Sequence, residues 1–112
     1  MDVQESASGS ATLLRAAGRV DSASSAAFEA ALLPRIRAGA IRVVLDLSGV
    51  EYVSSAGLRV MLMAAKAAKA GGGQLALCCL SPMVAEVFRV SGFSKIIPIL
   101  GTETEALSAV GA

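Results

Sequence analysis

The sequence contains no histidine and no tryptophan, and aromatic residues make up only 4% of it. Without an imidazole, neither a Ser–His–Asp triad nor a Cys–His nucleophile pair can be assembled. Catalysis would have to depend on carboxylates, lysines or backbone groups, and the sequence does not bring these together in a recognisable pattern. We therefore expect no catalytic residues and no cofactor, and a protein that is not an enzyme.

Cysteine is also scarce, because the chain has only Cys78 and Cys79, which are adjacent. No Cys-X-X-Cys pair and no zinc ligand set of Cys and His can form, so no metal site is expected. Neighbouring side chains on a strand point to opposite faces, which disfavours an ordinary disulfide between them. We expect two buried thiols that pack as small apolar residues.

The chain lacks a strong charge imbalance and a long apolar run. Ten basic and nine acidic residues give a net charge of +1, which argues against direct binding to nucleic acid and gives no reason to expect a membrane partner. No run approaches the roughly 18–20 apolar residues of a membrane-spanning helix. The polar start, MDVQESASGS, lacks the order of a signal peptide, so we expect a cytoplasmic protein.

The sequence has enough hydrophobic residues for one core, since they make up 54% of its 112 residues. We expect a single domain over residues 1–112. Strand and helix patterns follow the order β-β-α-β-α-β-α-β-α, which predicts an α/β fold with a mixed, mostly parallel sheet, an N-terminal β-hairpin and about four helices. The predicted strands cover residues 2–8, 12–17, 42–47, 74–80 and 96–100, and the predicted helices cover 23–38, 55–70, 82–91 and 102–110.

Two boundaries in this prediction depend on glycine and polar residues. Gly18 is expected to end the second strand, and a polar turn is expected to follow Leu47. Both turns would come directly after strands, and loops at the carboxyl ends of parallel strands commonly build sites. We therefore expect the two turns to face the same edge of the sheet.

The most informative stretch is DLSGVEYVSSAGLRVML, residues 46–62. It places the hydroxyls of Ser54 and Ser55 where a helix is predicted to begin. One interpretation is that one of these serines caps the helix. The other is that one of them is phosphorylated, since a helix N-terminus favours negative charge, and that the phosphate acts as a switch. The spacing alone favours the cap.

Four stretches, taken in order along the chain and including the one just described, carry a resemblance to a known family. They are GRVDS at 18–22, VVLDLSGVEYVSSAGLRVML at 43–62, GGGQLALCCLSPMVAEVFRVSGF at 71–93 and KIIPIL at 95–100. Together they resemble the STAS domain family over about its full length, and specifically its stand-alone bacterial anti-sigma-factor antagonists, also called anti-anti-sigma factors.

The resemblance implies partner switching in transcription regulation. The unphosphorylated antagonist would bind an anti-sigma factor that is also a serine kinase, and this binding would free a sigma factor. Phosphorylation at the start of the signature helix would abolish binding, and a serine phosphatase would restore it. The protein would be a substrate and a binder, and we expect it to be a monomer when free.

The family's common Asp-Ser-Ser/Thr-Gly-Leu pattern carries its phosphate just before the glycine. Aligning that pattern on Gly57 and Leu58 places Ala56 at the usual acceptor position and Ser55 at the preceding serine. The resemblance therefore implies Ser55 as the phosphorylation site, with Ser54 as the second choice. The residues expected to contact the partner are Asp21, Ser54, Ser55, Ala56, Gly57 and Arg59.

Alternatives remain for several of these residues and for the function. Asp21 would add negative charge near Ser55, or else it would cap the first helix, for which Ser22 is the other candidate. Arg59 would contact the partner or simply be solvated. Because Ala56 lacks a hydroxyl, the alternative function is a non-switching STAS scaffold or interaction subunit of a signalling or transport complex. An enzyme or nucleotide-binding domain is a third hypothesis, and the missing histidine and the lack of a glycine-rich loop that opens a helix weigh against it.

Overall fold

The computed structural model describes residues 2–111 and contains a five-stranded sheet with four α-helices. In chain order the elements are β1 (Asp2–Ser8), β2 (Ala11–Val20), α1 (Ser25–Arg37), β3 (Arg42–Val53), α2 (Ser55–Ala70), β4 (Gln74–Cys78), α3 (Pro82–Ser91), β5 (Ile99–Leu100) and α4 (Glu103–Ala109), with a 3-10 turn at Phe93–Lys95 before β5. None of these helices within residues 2–111 is long and apolar enough to cross a membrane.

The sheet has the strand order β1-β2-β3-β4-β5. β1 and β2 form an antiparallel hairpin that turns at residues 9–10, and every other pair of neighbouring strands is parallel. Each parallel connection contains a helix, which is the usual crossover between parallel strands. The predicted fold class, a mixed and mostly parallel sheet with an N-terminal hairpin and four helices, is confirmed.

The two faces of the sheet are covered unequally. One face packs against α1, α2 and α3, and its core includes Phe28 of α1, Met61 of α2 and Phe88 of α3, all fully buried. The opposite face carries a smaller cluster that includes Ala106 of α4 and Val110, the residue directly after this helix. α4 has only seven residues, so this second face is covered by one short helix, whereas the first face is covered by three longer ones.

Two predicted boundaries in β2 and β3 are wrong. β2 continues through Gly18 to Val20, and β3 continues through Ser48 and Gly49 to Val53. The register between the two strands shifts twice along this extension, which is typical of β-bulges. Gly18 adopts a φ of +110° within the strand, a conformation that glycine tolerates, so it permits the irregularity and does not end the strand.

Three smaller differences concern the ends of other elements. α1 begins at Ser25 and not at Ala23, and β4 ends at Cys78 and not at Leu80 because Cys79 adopts a φ of +63°. The last strand is reduced to Ile99–Leu100, because Ile96, directly after the 3-10 turn, still has helical backbone angles. In contrast, the predicted bounds of β1, α2 and α3 agree with the structure.

Candidate functional site

The start of α2 is fixed against the end of β2. The backbone N–H of Ser54 donates to the carbonyl oxygen of Val20 over 2.8 Å. Gly57, in the first turn of α2, is buried against the same residue, and a Cβ placed on it would lie 2.6 Å from Val20 Cγ1 and 2.9 Å from the Val20 carbonyl oxygen. The absence of a side chain at this position therefore lets the helix start approach the sheet edge closely.

The two serines at this helix start have different environments. Ser54 is the N-cap residue with extended backbone, and its Oγ accepts the backbone N–H of Gly57 over 3.3 Å. It is half-buried, whereas Ser55, the first residue of α2, is exposed. The predicted capping function thus belongs to Ser54, and the Ser55 hydroxyl is on the surface at the positive end of the helix.

The turn after β2 is organised by Asp21. Its Oδ1 accepts the backbone N–H groups of Ala23 and Ser24 over 3.0 and 3.1 Å. The hydrogen bond from Ser24 is the largest cause that lowers the pKa of Asp21 below its ordinary value. Ser24 is itself the N-cap residue of α1, so neither Asp21 nor Ser22 occupies the cap position, and Asp21 instead holds the turn before the helix.

Arg19 and Tyr52 extend the surface on the other side of this turn. The Arg19 guanidinium lies 4.5 Å from the centroid of the Tyr52 ring, and its Nε is 3.8 Å from Asp21 Oδ2. Tyr52 is one of the large hydrophobic side chains that the structure leaves exposed. Neither residue stands out in the sequence, because their contact depends on the extension of β2 and β3 beyond the predicted strand ends.

An open apolar groove of about 400 Å³ lies between α2 and α3. Ser55 and Leu58 of α2 line one wall, and Val87 and Val90 of α3 are in the other, with Glu86 and Ser91 also at the lining. Val90 is 72% exposed, and Met83, seven residues earlier on the same helix, is 68% exposed. Since residues seven apart share a helical face, Met83 continues the apolar stripe of α3 beyond the groove.

The predicted partner-contact residues are therefore grouped, with one exception. Ser54, Ser55, Ala56 and the Asp21 turn lie at the start of α2 beside the end of β2, and Arg59 is exposed one turn further along α2. Gly57 is buried, so it supports this surface from beneath and does not form part of it. The groove itself was missed, because no sequence pattern indicates how α2 and α3 are spaced.

A second group of reactive side chains lies at the opposite face of the sheet. Asp46, Cys78 and Cys79 each offer one possible metal-ligand atom, and these three atoms lie within 4.8 Å of one another. The expectation that the two cysteines point to opposite faces is wrong, because the left-handed backbone of Cys79 interrupts the alternation of the strand. Both thiols are free, Cys78 is buried and Cys79 is half-buried, and burial raises the pKa of each thiol.

Arg15 and Glu103 border this second group. The Arg15 guanidinium donates to both carboxylate oxygens of Glu103, over 2.8 and 2.9 Å. This fork geometry is the strong form of the Arg–carboxylate interaction, and it lowers the pKa of Glu103 to about 2. The Asp46 carboxyl group is next to that of Glu103, so a row of polar groups runs beneath the first turn of α4.

Comparison with known proteins identifies the family. The family model of the STAS domain matches residues 2–106 of the chain. The chain belongs to the STAS domain family. This confirms the resemblance found in the four sequence stretches.

Individual STAS relatives resemble the chain along most of its length. BtrV of Bordetella bronchiseptica, a candidate anti-sigma factor antagonist, is 46% identical over 92 residues, which are 82% of this chain and 79% of BtrV. The STAS fold is shared with a candidate anti-sigma factor antagonist of Thermotoga maritima, TM1081, with a TM-score of 0.91 at 22% identity over 98% of this chain and 95% of that one. The anti-sigma factor antagonist SpoIIAA in its unphosphorylated form gives a TM-score of 0.79 at 23% identity over 96% and 95% of the two chains.

Proposed function

We propose that this STAS protein is an anti-sigma-factor antagonist that acts by partner switching. Its unphosphorylated form binds an anti-sigma factor that is a serine kinase, and phosphorylation of Ser55 ends that binding. The observation that carries the proposal is the position of Ser55, which is exposed at the start of α2 and lines the apolar groove between α2 and α3. The 46% identity to BtrV supports the function class.

The groove gives a physical reason why a phosphate would act as a switch. A partner that covers the groove would bury Val87 and Val90 and remove water from the neighbourhood of Ser55. A phosphoserine there would bring about −1.5 to −2 charges, and burying charge without a partner is strongly unfavourable. Glu86 lines the same groove and would add like-charge repulsion, so the phosphorylated form would release the partner without any change of fold.

Ser55 is a better acceptor than Ser54 for a structural reason. Ser54 is half-buried and its Oγ accepts the N–H of Gly57, so a phosphate on Ser54 would displace a cap. Ser55 is exposed and is not the capping residue. Ala56, at the position where the family pattern has its acceptor, cannot be phosphorylated, which leaves Ser55 as the proposed site and Ser54 as the second choice.

The partner surface that we propose combines the groove with the turn beside it. Asp21, Ser54, Ser55, Ala56 and Arg59 provide its polar part, and Gly57 sets the distance between α2 and β2. Because Asp21 already accepts two backbone N–H groups, its carboxylate remains fixed in place. A serine phosphatase would return the phosphorylated protein to the binding form.

Phosphate mapping tests the proposed acceptor. The purified protein is incubated with ATP and the anti-sigma-factor serine kinase of the same organism, and the modified residue is located by mass spectrometry. We expect phosphate on Ser55, its loss in Ser55→Ala, and normal modification of the control Ser108→Ala, which removes an exposed hydroxyl from α4. Modification that persists unchanged in both Ser55→Ala and Ser54→Ala would refute the switch as placed here.

The second candidate function is a STAS scaffold that binds its partner without switching, and the presence of Ala56 at the usual acceptor position favours it. The affinity of the kinase for the variant Ser55→Glu distinguishes the partner switch from the scaffold. A partner switch predicts that Ser55→Glu binds at least tenfold more weakly than Ser55→Ala, which corresponds to about 1.4 kcal/mol. Equal binding by the two variants would favour the scaffold.

A further inference from the structure

The face of the sheet under α4 contains reactive groups that partner switching does not use. Arg15, Asp46 and Cys78 are neighbours in register on β2, β3 and β4, so their side chains form a row across one face of the sheet. Cys79 follows β4 directly, and its left-handed backbone places its Sγ next to that row and not on the other face. The result is a compact set of two thiols and one carboxylate.

We propose that Asp46, Cys78 and Cys79 form a binding site for one thiophilic divalent metal ion, of which Zn²⁺ is the reference. Thiolate sulfur and carboxylate oxygen are both ligands of Zn²⁺, at about 2.3 and 2.0–2.2 Å. Tetrahedral geometry with those bond lengths puts neighbouring donor atoms about 3.5–3.8 Å apart. The three donor atoms already lie within 4.8 Å of one another, so side-chain adjustments of about 1 Å would close the site.

The burial of Asp46 is an independent observation that points to a cation. Within residues 2–111, Asp46 is the one buried charged side chain, with 5% of its surface exposed. The ion pairs of the described residues do not include it. Buried charges are ordinarily paired or bound to a metal. The Asp46 carboxyl group lies beside that of Glu103 and near the Arg15 guanidinium, but Arg15 is bound in its fork to Glu103, so a divalent cation held by two thiolates would give Asp46 a charge partner of its own.

The surroundings of the three ligands fit a metal site. The backbone N–H of Ser48 donates to Asp46 Oδ1 over 2.8 Å and fixes the orientation of the carboxylate, as outer hydrogen bonds do around metal ligands. Glu103 is held by Arg15 and is not counted as a ligand. Cys79 is half-buried and the Glu103 side chain is 27% exposed, so the group borders solvent, and water or an external ligand would take the fourth tetrahedral position.

Cobalt titration tests the site, because Co²⁺ bound to thiolates in a tetrahedral site has visible and charge-transfer absorption that hydrated Co²⁺ lacks. The full chain is reduced with a phosphine, freed of metal with a chelator and titrated with Co²⁺ and then with Zn²⁺. We expect one equivalent to bind, the thiolate absorption to appear, and Zn²⁺ to displace Co²⁺. A wild-type protein that develops no such absorption in excess Co²⁺ overturns the proposal.

Variants identify the ligands. Loss of an outer partner of a metal ligand costs about 10–100-fold in affinity, so Cys79→Ser, which removes a ligand, should weaken binding by at least about tenfold. Asp46→Asn should also weaken metal binding by at least about tenfold. Its control is Glu51→Gln, which removes an exposed carboxylate from the same strand and should bind the metal as tightly as the wild type does. Cys79 is half-buried, so its serine variant is the one most suited to fold normally, as circular dichroism would confirm. Unchanged affinity in Cys79→Ser would refute the site.

Discussion

At the scale of single residues, the contact between Gly57 and Val20 shows how tightly the start of α2 is positioned. Substitution Gly57→Ala would place a Cβ 2.6 Å from Val20 Cγ1 and 2.9 Å from the Val20 carbonyl. The backbone atom cannot rotate away, so α2 would have to move. Overpacking of this kind costs about 1–3 kcal/mol, and the gain in helix propensity offsets at most about 1 kcal/mol of that cost.

We therefore expect Gly57→Ala to lower the free energy of unfolding by about 1–2 kcal/mol, measured by urea denaturation. The matched control is Gly101→Ala, whose Cβ would meet only the flexible Glu105 Oε1, at 3.3 Å. Equal stability of Gly57→Ala and the wild type would mean that α2 is free to shift on the sheet edge.

Asp21 provides a test of pH dependence. Its pKa is lowered in the folded protein, first by the hydrogen bond from the Ser24 backbone. A group whose folded-state pKa is depressed contributes stability above its unfolded pKa and loses it as the pH falls through the folded value. The free energy of unfolding of the wild type should therefore exceed that of Asp21→Asn at neutral pH, and the difference should shrink below the ordinary pKa of 3.8.

The measurement is urea denaturation of both proteins over a pH series. Asp21→Asn keeps an oxygen that can accept the N–H groups of Ala23 and Ser24, so the comparison isolates the charge. A stability difference that stays constant from neutral to acid pH would contradict the ionised-carboxylate explanation.

At the scale of secondary structure, the starts of α2, α3 and α4 could be predicted from the sequence, whereas the ends of β2 and β3 could not. Ser54, Ser81 and Thr102 each accept a backbone N–H from three residues ahead, and a side-chain cap is a local interaction that the sequence displays. The extension of β2 and β3 depends instead on pairing between residues far apart in the chain. The turns predicted after Ala17 and Leu47 do not form, and Gly18 and Gly49 instead lie where the register shifts within a longer parallel ladder.

The shortest helix, α4, tests how much a single cap contributes. Its N-cap Thr102 accepts the N–H of Glu105 over 3.1 Å and donates its hydroxyl proton to Glu105 Oε1, also over 3.1 Å. With seven residues, α4 is too short to be stable alone. Loss of the cap should cost about 1 kcal/mol, so Thr102→Ala should increase amide hydrogen exchange about fivefold across residues 103–109. The control Ser108→Ala removes a hydroxyl from the same helix without changing the cap, and it should leave amide exchange unchanged. Equal exchange rates in the two variants would mean that the Thr102 cap does not stabilise the first turn of α4.

At the scale of the whole molecule, the sheet separates two candidate sites. The start of α2 and the groove lie on the side of α1, α2 and α3, and the thiol–carboxylate group lies under α4. The first site could be predicted in part, because Ser54 and Ser55 are adjacent in sequence and lie within a recognisable motif. The groove and the second group could not, since they depend on how helices pack on the sheet and on one left-handed residue, Cys79.

The groove leads to a prediction that separates partner binding from folding. Val90 is 72% exposed and lines the groove, so Val90→Asp should leave thermal stability nearly unchanged in the free protein, as is usual for surface substitutions. In the complex, however, the new carboxylate would be buried in an apolar interface beside Glu86, and an unpaired buried charge is strongly unfavourable. We expect binding to the serine kinase, measured by calorimetry, to weaken by at least tenfold, or about 1.4 kcal/mol.

The matched control for Val90→Asp is Ile96→Asp. Ile96 is also an exposed apolar residue, at 58%, but it lies beside Lys69 at the other end of α2, about 20 Å of helix away from Ser55. An equal carboxylate there should not affect kinase binding if the groove is the docking surface. Equal loss in the two variants would indicate a general charge effect, and no loss in Val90→Asp would place the partner elsewhere on the molecule.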